Sequence, residues 1–182
     1  MSCFDGIPHE NIEHCPNDEL QAGLTTKLYY VPCHFIKTFA MPTPGADLES
    51  RVKVGTGGIV LNTGKKWAEI DIQVEQNELK PTLIGNKGNK KFKTELDFTI
   101  PGMKGKGLGY MDAYKNVPCV YAIKDANGAL FVIGNKDVGA YIDTAEGTSG
   151  KTVEDNSGIT CKIAANTKTL LYDGEISLAP AP

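Results

Sequence analysis

Residues 67–75 read Trp-Ala-Glu-Ile-Asp-Ile-Gln-Val-Glu, and residues 91–100 read Lys-Phe-Lys-Thr-Glu-Leu-Asp-Phe-Thr-Ile. In the first stretch Ala68, Ile70, Ile72 and Val74 alternate with Glu69, Asp71, Gln73 and Glu75. In the second, Phe92, Leu96, Phe98 and Ile100 share one parity, and Lys91, Lys93, Glu95, Asp97 and Thr99 share the other. A strand turns successive side chains to opposite faces, so a period of two marks a strand with one buried and one wet face. Between the two stretches lie 79–84 and then Gly85, Asn86, Lys87, Gly88, Asn89 and Lys90. Glycine and asparagine tolerate the positive φ of a tight reversal. The pattern therefore predicts a long antiparallel hairpin whose flexible tip, with Lys91 beside it, is cationic.

The flanking segments extend the same theme. Leu24 to Val31 (LTTKLYYV) is rich in Thr, Tyr and Leu and reads as a strand ended by Pro32. Residues 33–40 suit one short helical turn or an irregular strand, and the prolines and glycine of 41–50 mark a loop. Residues 103–115 hold the one plausible helix, with Leu108, Met111 and Tyr114 at helical spacing. Strands at 118–124 and 129–133 bracket Asp125-Ala126-Asn127-Gly128, and Asn-Gly between apolar runs is a hairpin signal. Further strands are expected near 138–143, 150–154, 158–165 and 174–178, a spacing of about ten residues that suits a sandwich or barrel. No internal repeat and no interdomain linker interrupts the chain. The expected fold is mainly β: an antiparallel sandwich or half-barrel with a long hairpin and one short flanking helix. Residues 1–22 form a polar arm, and 23–182 form a single β-rich domain.

Bulk properties narrow the function. A domain of 182 residues buries roughly 70% of its unfolded surface, enough for a real core. Its composition, 41% apolar and 23% charged, is globular. Lys and Arg total 19 against 22 Asp and Glu, so the basic excess that drives phosphate neutralisation is absent. No run of 18 apolar residues is present to span a bilayer, and the first residues lack the charged start and apolar core of a signal peptide. Synthesis in a cytoplasm is expected, with no membrane partner. The cysteines, at 3, 15, 33, 119 and 161, are odd in number and unpaired in spacing. That argues for reduced thiols, with Cys119 and Cys161 as small core hydrophobes.

The sequence presents no catalytic, cofactor or metal set. Gly58 to Lys66 superficially resembles a phosphate loop, but it has five residues where that loop has four, and Lys66 where magnesium needs a hydroxyl. Glycines 102, 105, 107 and 109 miss the dinucleotide fingerprint. His9, His14, Cys15 and Asp18 in the arm, and the adjacent Cys33 and His34, lack the convergent spacing of zinc ligands. All three histidines fall within the first 34 residues, and no GxSxG is present. Glu69 with Asp71, and Glu95 with Asp97, read as solvated strand faces. Asp143, Glu146, Glu154 and Asp155 read as turn residues, since their spacing follows no calcium loop. Trp67 reads as a packing or interface anchor.

Residues 118–166 run PCVYAIKDANGALFVIGNKDVGAYIDTAEGTSGKTVEDNSGITCKIAAN. This succession of strand, Asp-x-Asn-Gly turn, strand ending in Gly134, further strand, glycine loop and last core strand resembles the tail tube proteins of long-tailed bacteriophages. That family is related to the inner-tube proteins of contractile injection machines. The resemblance extends loosely over 56–178 and leaves the arm and 32–50 unmatched. It implies a virion structural protein that is not an enzyme and partners chiefly with itself. Six subunits would form a ring, neighbouring sheets would close one barrel, and rings would stack into a tube joined to other tail proteins. DNA would pass transiently through the lumen without sequence-specific contact. On that reading Glu69, Asp71, Gln73 and Glu75 form an acidic lumen face, and the tip at 85–91 reaches the adjacent ring. Two alternatives remain open: a capsid decoration or other virion structural protein, and a carbohydrate-binding or adhesion module, for which Trp67, Tyr29 and Tyr30 are the scattered aromatic candidates.

Overall fold

Continuous and alternating apolar runs mark strands covered on two faces and on one. Cys119–Asp125 begins with five consecutive buried residues, Cys119 to Ile123, so both of its faces are covered. Lys91–Pro101 alternates instead, with Thr94, Leu96 and Phe98 buried and Lys93, Glu95 and Asp97 half-exposed between them. The computed structural model, which describes residues 7–13, 15, 19–45 and 47–180, builds three layers from this difference.

In chain order the strands are β1 (Leu24–Pro32), β2 (Ile36–Phe39), β3 (Lys53–Val54), β4 (Ile59–Leu61), β5 (Ala68–Asp71), β6 (Glu78–Ile84) and β7 (Lys91–Pro101). After the helix α1 (Gly105–Tyr114) come β8 (Cys119–Asp125), β9 (Leu130–Ile133), β10 (Tyr141–Thr148), β11 (Gly158–Ala165) and β12 (Leu170–Tyr172). A six-stranded sheet runs β3-β12-β9-β8-β1-β5, a four-stranded sheet β10-β11-β7-β6, and a ribbon pairs β2 with β4. The mainly-β fold expected from the sequence is the fold observed.

The larger sheet is the middle layer. On one face Leu28, Tyr121, Ile123 and Ile133 meet Leu96, Phe98, Ile159, Cys161 and Ile163 of the four-stranded sheet. On the other face Val31, Val120, Ala122, Val132 and Leu170 meet Ile36 and Ile59 of the ribbon, with Trp67 and Tyr172. Fully burying a side chain such as Phe98 or Ile163 contributes roughly 1.5–3 kcal/mol. The α1 helix adds Tyr110 to the first core, where Tyr30, Tyr110, Tyr114 and Tyr121 pack ring against ring. Its three glycines lower its intrinsic propensity. Packing compensates: a Cβ at Gly107 would lie 2.8 Å from Ile159 Cδ1, so the helix sits closer than any other residue there allows.

Several expectations are corrected. The alternating stretch 67–75 is a strand only through Asp71, and β5 pairs with β1, Lys27 opposite Asp71, rather than with β7. The chain turns at Glu75, whose φ is +57°, and crosses to the other sheet. The hairpin partner of β7 is therefore β6, in register Leu79 opposite Leu96 and Ile84 opposite Lys91. The strand expected at 150–154 is a turn, because the Asp155 carboxylate accepts the amides of Lys151 and Thr152 at 2.8 Å each. That expected at 138–143 starts only at Tyr141, because Asn135 Oδ1 accepts the amides of Asp137 and Val138. Residues 174–178 make a single bridge, Trp67 to Leu178, while 170–172 supplies β12. Residues 33–40 combine both readings, a 3₁₀ turn at Cys33–Phe35 leading into β2.

Candidate functional site

The long hairpin of β6 and β7 runs past the end of its sheet. β11 covers β7 only from Thr94 to Pro101. Beyond Thr94 the pairs Thr82–Lys93, Leu83–Phe92 and Ile84–Lys91 continue as a bare two-stranded ribbon. Leu83 is 58% and Phe92 45% exposed, and they are direct cross-strand neighbours on one face. An isolated two-stranded ribbon is marginal in water, so exposed apolar pairs on one mark a surface awaiting cover.

The tip holds Gly85, Asn86, Lys87, Gly88, Asn89, Lys90 and Lys91, all exposed. Gly85 and Gly88 have φ of +96° and +81°, and the Asn89 amide donates to the Asn86 carbonyl at 2.9 Å. A Cβ at Gly85 would lie 2.6 Å from the Asn89 carbonyl oxygen, so this reversal requires glycine. The tip thus carries Lys87, Lys90 and Lys91.

The residues assigned to an acidic face do not stay together. Glu69 and Asp71 share one side of β5, and Lys27 Nζ bridges them at 2.6 Å and 2.5 Å. Hydrogen bonds that the Lys27 ammonium donates to Asp71, then to Glu69, hold its pKa well above the usual range. Gln73 lies past the strand end, its amide donating to the Thr99 carbonyl at 2.7 Å, and Glu75 sits in the turn.

A broader polar face lies on the outer side of the four-stranded sheet, opposite its apolar side. Register places Lys80 beside Glu95 and Lys162 beside Asp97 there. Glu95 receives Lys93 at 2.6 Å and Lys162 at 3.2 Å. The Lys93 hydrogen bond, then that of Lys162, holds the Glu95 carboxyl below its ordinary value. The sequence showed this face as a charged parity in 91–99 but did not say which strands flank it.

The two outer strands of that sheet, β10 and β6, have no second strand partner among the described residues. Pro81 lies mid-way along β6, and an edge proline keeps its missing N–H on the open side. Beneath β6 opens an apolar cleft of about 420 Å³ lined by Leu24, Val52, Leu79, Pro81, Phe131 and Leu171. Asn77 Oδ1 at its margin is buried without a hydrogen-bond partner.

Other candidate chemistry resolves into structure. Among the described residues no three His, Cys, Asp or Glu side chains gather as a metal site. His14 and Asp18 lie outside the described residues, as does Cys3. Burial pushes the Cys33 and Cys161 thiols up to about 11 and Cys119 to about 12, so none is a ready nucleophile. In 58–66, β4 enters a turn closed by the Lys65 amide on the Asn62 carbonyl, and Lys65 Nζ lies 4.3 Å from the Phe35 ring centre. Trp67 is buried in the core, not displayed on a sheet face. No described helix is long and apolar enough to cross a membrane.

No protein-family model matches the chain, and neither a curated protein nor a solved structure matches it.

Proposed function

We propose that this protein is a structural subunit that assembles with copies of itself into rings stacked as a tube, the tail tube of a long-tailed bacteriophage. The observation that carries the reading is the four-stranded sheet: both edges open among the described residues, one face apolar, the other charged, and one hairpin running past its end. Open edges are templates for another strand, and a closed cyclic assembly satisfies them without leaving any free.

Strand direction favours a ring. The four strands are antiparallel at every step, so β10 and β6 run in opposite directions. A rotated copy placed edge to edge therefore continues the antiparallel alternation from β6 of one subunit to β10 of the next. That contact is heterologous, and it closes if the rotation divides a full turn. On this reading the outer face with Glu95, Asp97 and Lys162 lines the lumen, in place of the split set at 69–75. Its mixed, internally paired charges give DNA phosphates no basic track to bind. The lysine tip would contact the adjoining ring, with other tail proteins at the tube ends.

Negative-stain electron microscopy of the purified chain at rising concentration, with mass photometry, tests the proposal. Hollow rings or tubes of uniform diameter are expected. A monodisperse monomer at every concentration, also in the presence of tail-initiation proteins, would overturn it.

A further inference from the structure

The side chains along the two open edges specify one pairing between copies. On β6 the inward row is Leu79, Pro81 and Leu83, because their partners Leu96, Thr94 and Phe92 lie on the core side of β7. The outward row is Lys80, Thr82 and Ile84. On β10 the inward residues are Ile142 and Ala145, opposite Ile163 and Cys161 of the core, and the outward ones are Tyr141, Thr144 and Glu146. A bulge at Asp143 separates the two halves of β10.

We propose that β10 of one copy adds antiparallel to β6 of the next in the register that sets Lys80 opposite Glu146. This rests on the assembly reading above and names its contacts. In that register Pro81 faces Ala145 and Thr82 faces Thr144. Past the bulge Leu83 meets Ile142 and Ile84 meets Tyr141. Three exposed apolar side chains, Leu83 at 58%, Ile84 at 42% and Tyr141 at 49%, gain partners at once. A slip of one residue would turn the inward rows outward. A slip of two in either direction removes both the Lys80–Glu146 and the Ile84–Tyr141 pairs. The bulge absorbs the one-residue offset between the apolar and the charged halves. Pro81 leaves one rung without its donor there, opposite the small Ala145, and so limits how firmly any unrelated strand can pair with this edge.

Two measurements test the register. The first places Ile84→Cys and Tyr141→Cys in one chain whose Cys3 and Cys15 are serine, and treats it with a short bismaleimide. Directly opposed residues have Cβ atoms about 4.5–5.5 Å apart, within reach of such a linker. A ladder of covalent multimers is expected from the double variant, and only monomer from either single variant. The second uses charge reversal: Lys80→Glu and Glu146→Lys should each raise the concentration needed for assembly about fivefold, and the double swap should restore it. Circular dichroism confirms that each variant stays folded. Covalent dimers from a single-cysteine variant would mean two-fold pairing and would overturn the inference. Tubes that form without 84–141 cross-links overturn the register and leave the tube reading standing. Cross-linked ladders without rings or tubes uphold the pairing and overturn the tube. Neither cross-links nor a response to charge reversal at the highest soluble concentration overturns the inference.

Discussion

The tyrosine cluster under α1 offers a stability test whose size follows from the geometry. Tyr110 and Tyr121 hydroxyls lie 2.8 Å apart, Tyr121 is fully buried and Tyr110 is 8% exposed. Burial is the first cause lifting both phenols above their ordinary range, consistent with hydroxyls shut away from water. Tyr121→Phe keeps the ring that packs against Tyr30 but strands the Tyr110 hydroxyl. An orphaned buried hydroxyl costs about 1–3 kcal/mol, whereas removing both partners leaves nothing unpaired. Tyr110→Phe should cost a similar amount, and the double variant should cost clearly less than the two singles added. Urea unfolding, followed through the fluorescence of the buried Trp67 at concentrations where the chain is monomeric, reads the cycle. With a slope of about 2 kcal/mol per molar, a loss of about 2 kcal/mol moves the midpoint by roughly 1 M. Single effects that add to within about 0.5 kcal/mol would refute the claim that the two hydroxyls depend on each other.

Three further outcomes follow from particular residues. Gly134→Ala should destabilise by more than about 2 kcal/mol, because φ is +83° and the new Cβ would lie 2.9 Å from the Ala140 amide nitrogen; Gly128→Ala, at φ +90° in open space, should cost only the backbone strain of about 1–2 kcal/mol. Equal thermal shifts for the two would contradict this. Glu95 has its carboxyl pKa lowered in the fold, so its contribution is full above the ordinary carboxylate value of about 4.3 and is lost as pH falls through the lower folded value. The urea midpoint of Glu95→Gln should therefore trail the parent at pH 7 and converge with it in strong acid; a gap independent of pH would count against the Lys93–Glu95–Lys162 pairing. Reversing the charge of Lys87, Lys90 and Lys91 together should weaken tube formation while far-UV dichroism and the unfolding midpoint stay unchanged, since all three lie on the exposed tip; undiminished tubes on electron microscopy would remove the tip from the stacking contact.

Local chemistry was enough to read much of this fold from the sequence. The parity of 91–100 set β7 and its two faces, Asn127-Gly128 set the β8–β9 turn, and the glycines at 85 and 88 set the hairpin tip. Each rests on neighbours in the chain, through strand alternation or the φ that glycine tolerates. The partner of 67–75 was not legible, because a period of two states that a face is buried but not against which strand. Only the tertiary structure sent β5 to β1, gave Glu69 and Asp71 to Lys27, and left β6 beside β7. The second core was equally hidden: five buried residues in a row at 119–123 signal a doubly covered strand, but the covering ribbon of β2 and β4 lies more than 55 residues away in the chain. The open edges at β6 and β10 belong to the same class. An edge is defined by which strand fails to arrive, and that is decided by the packing of the whole chain.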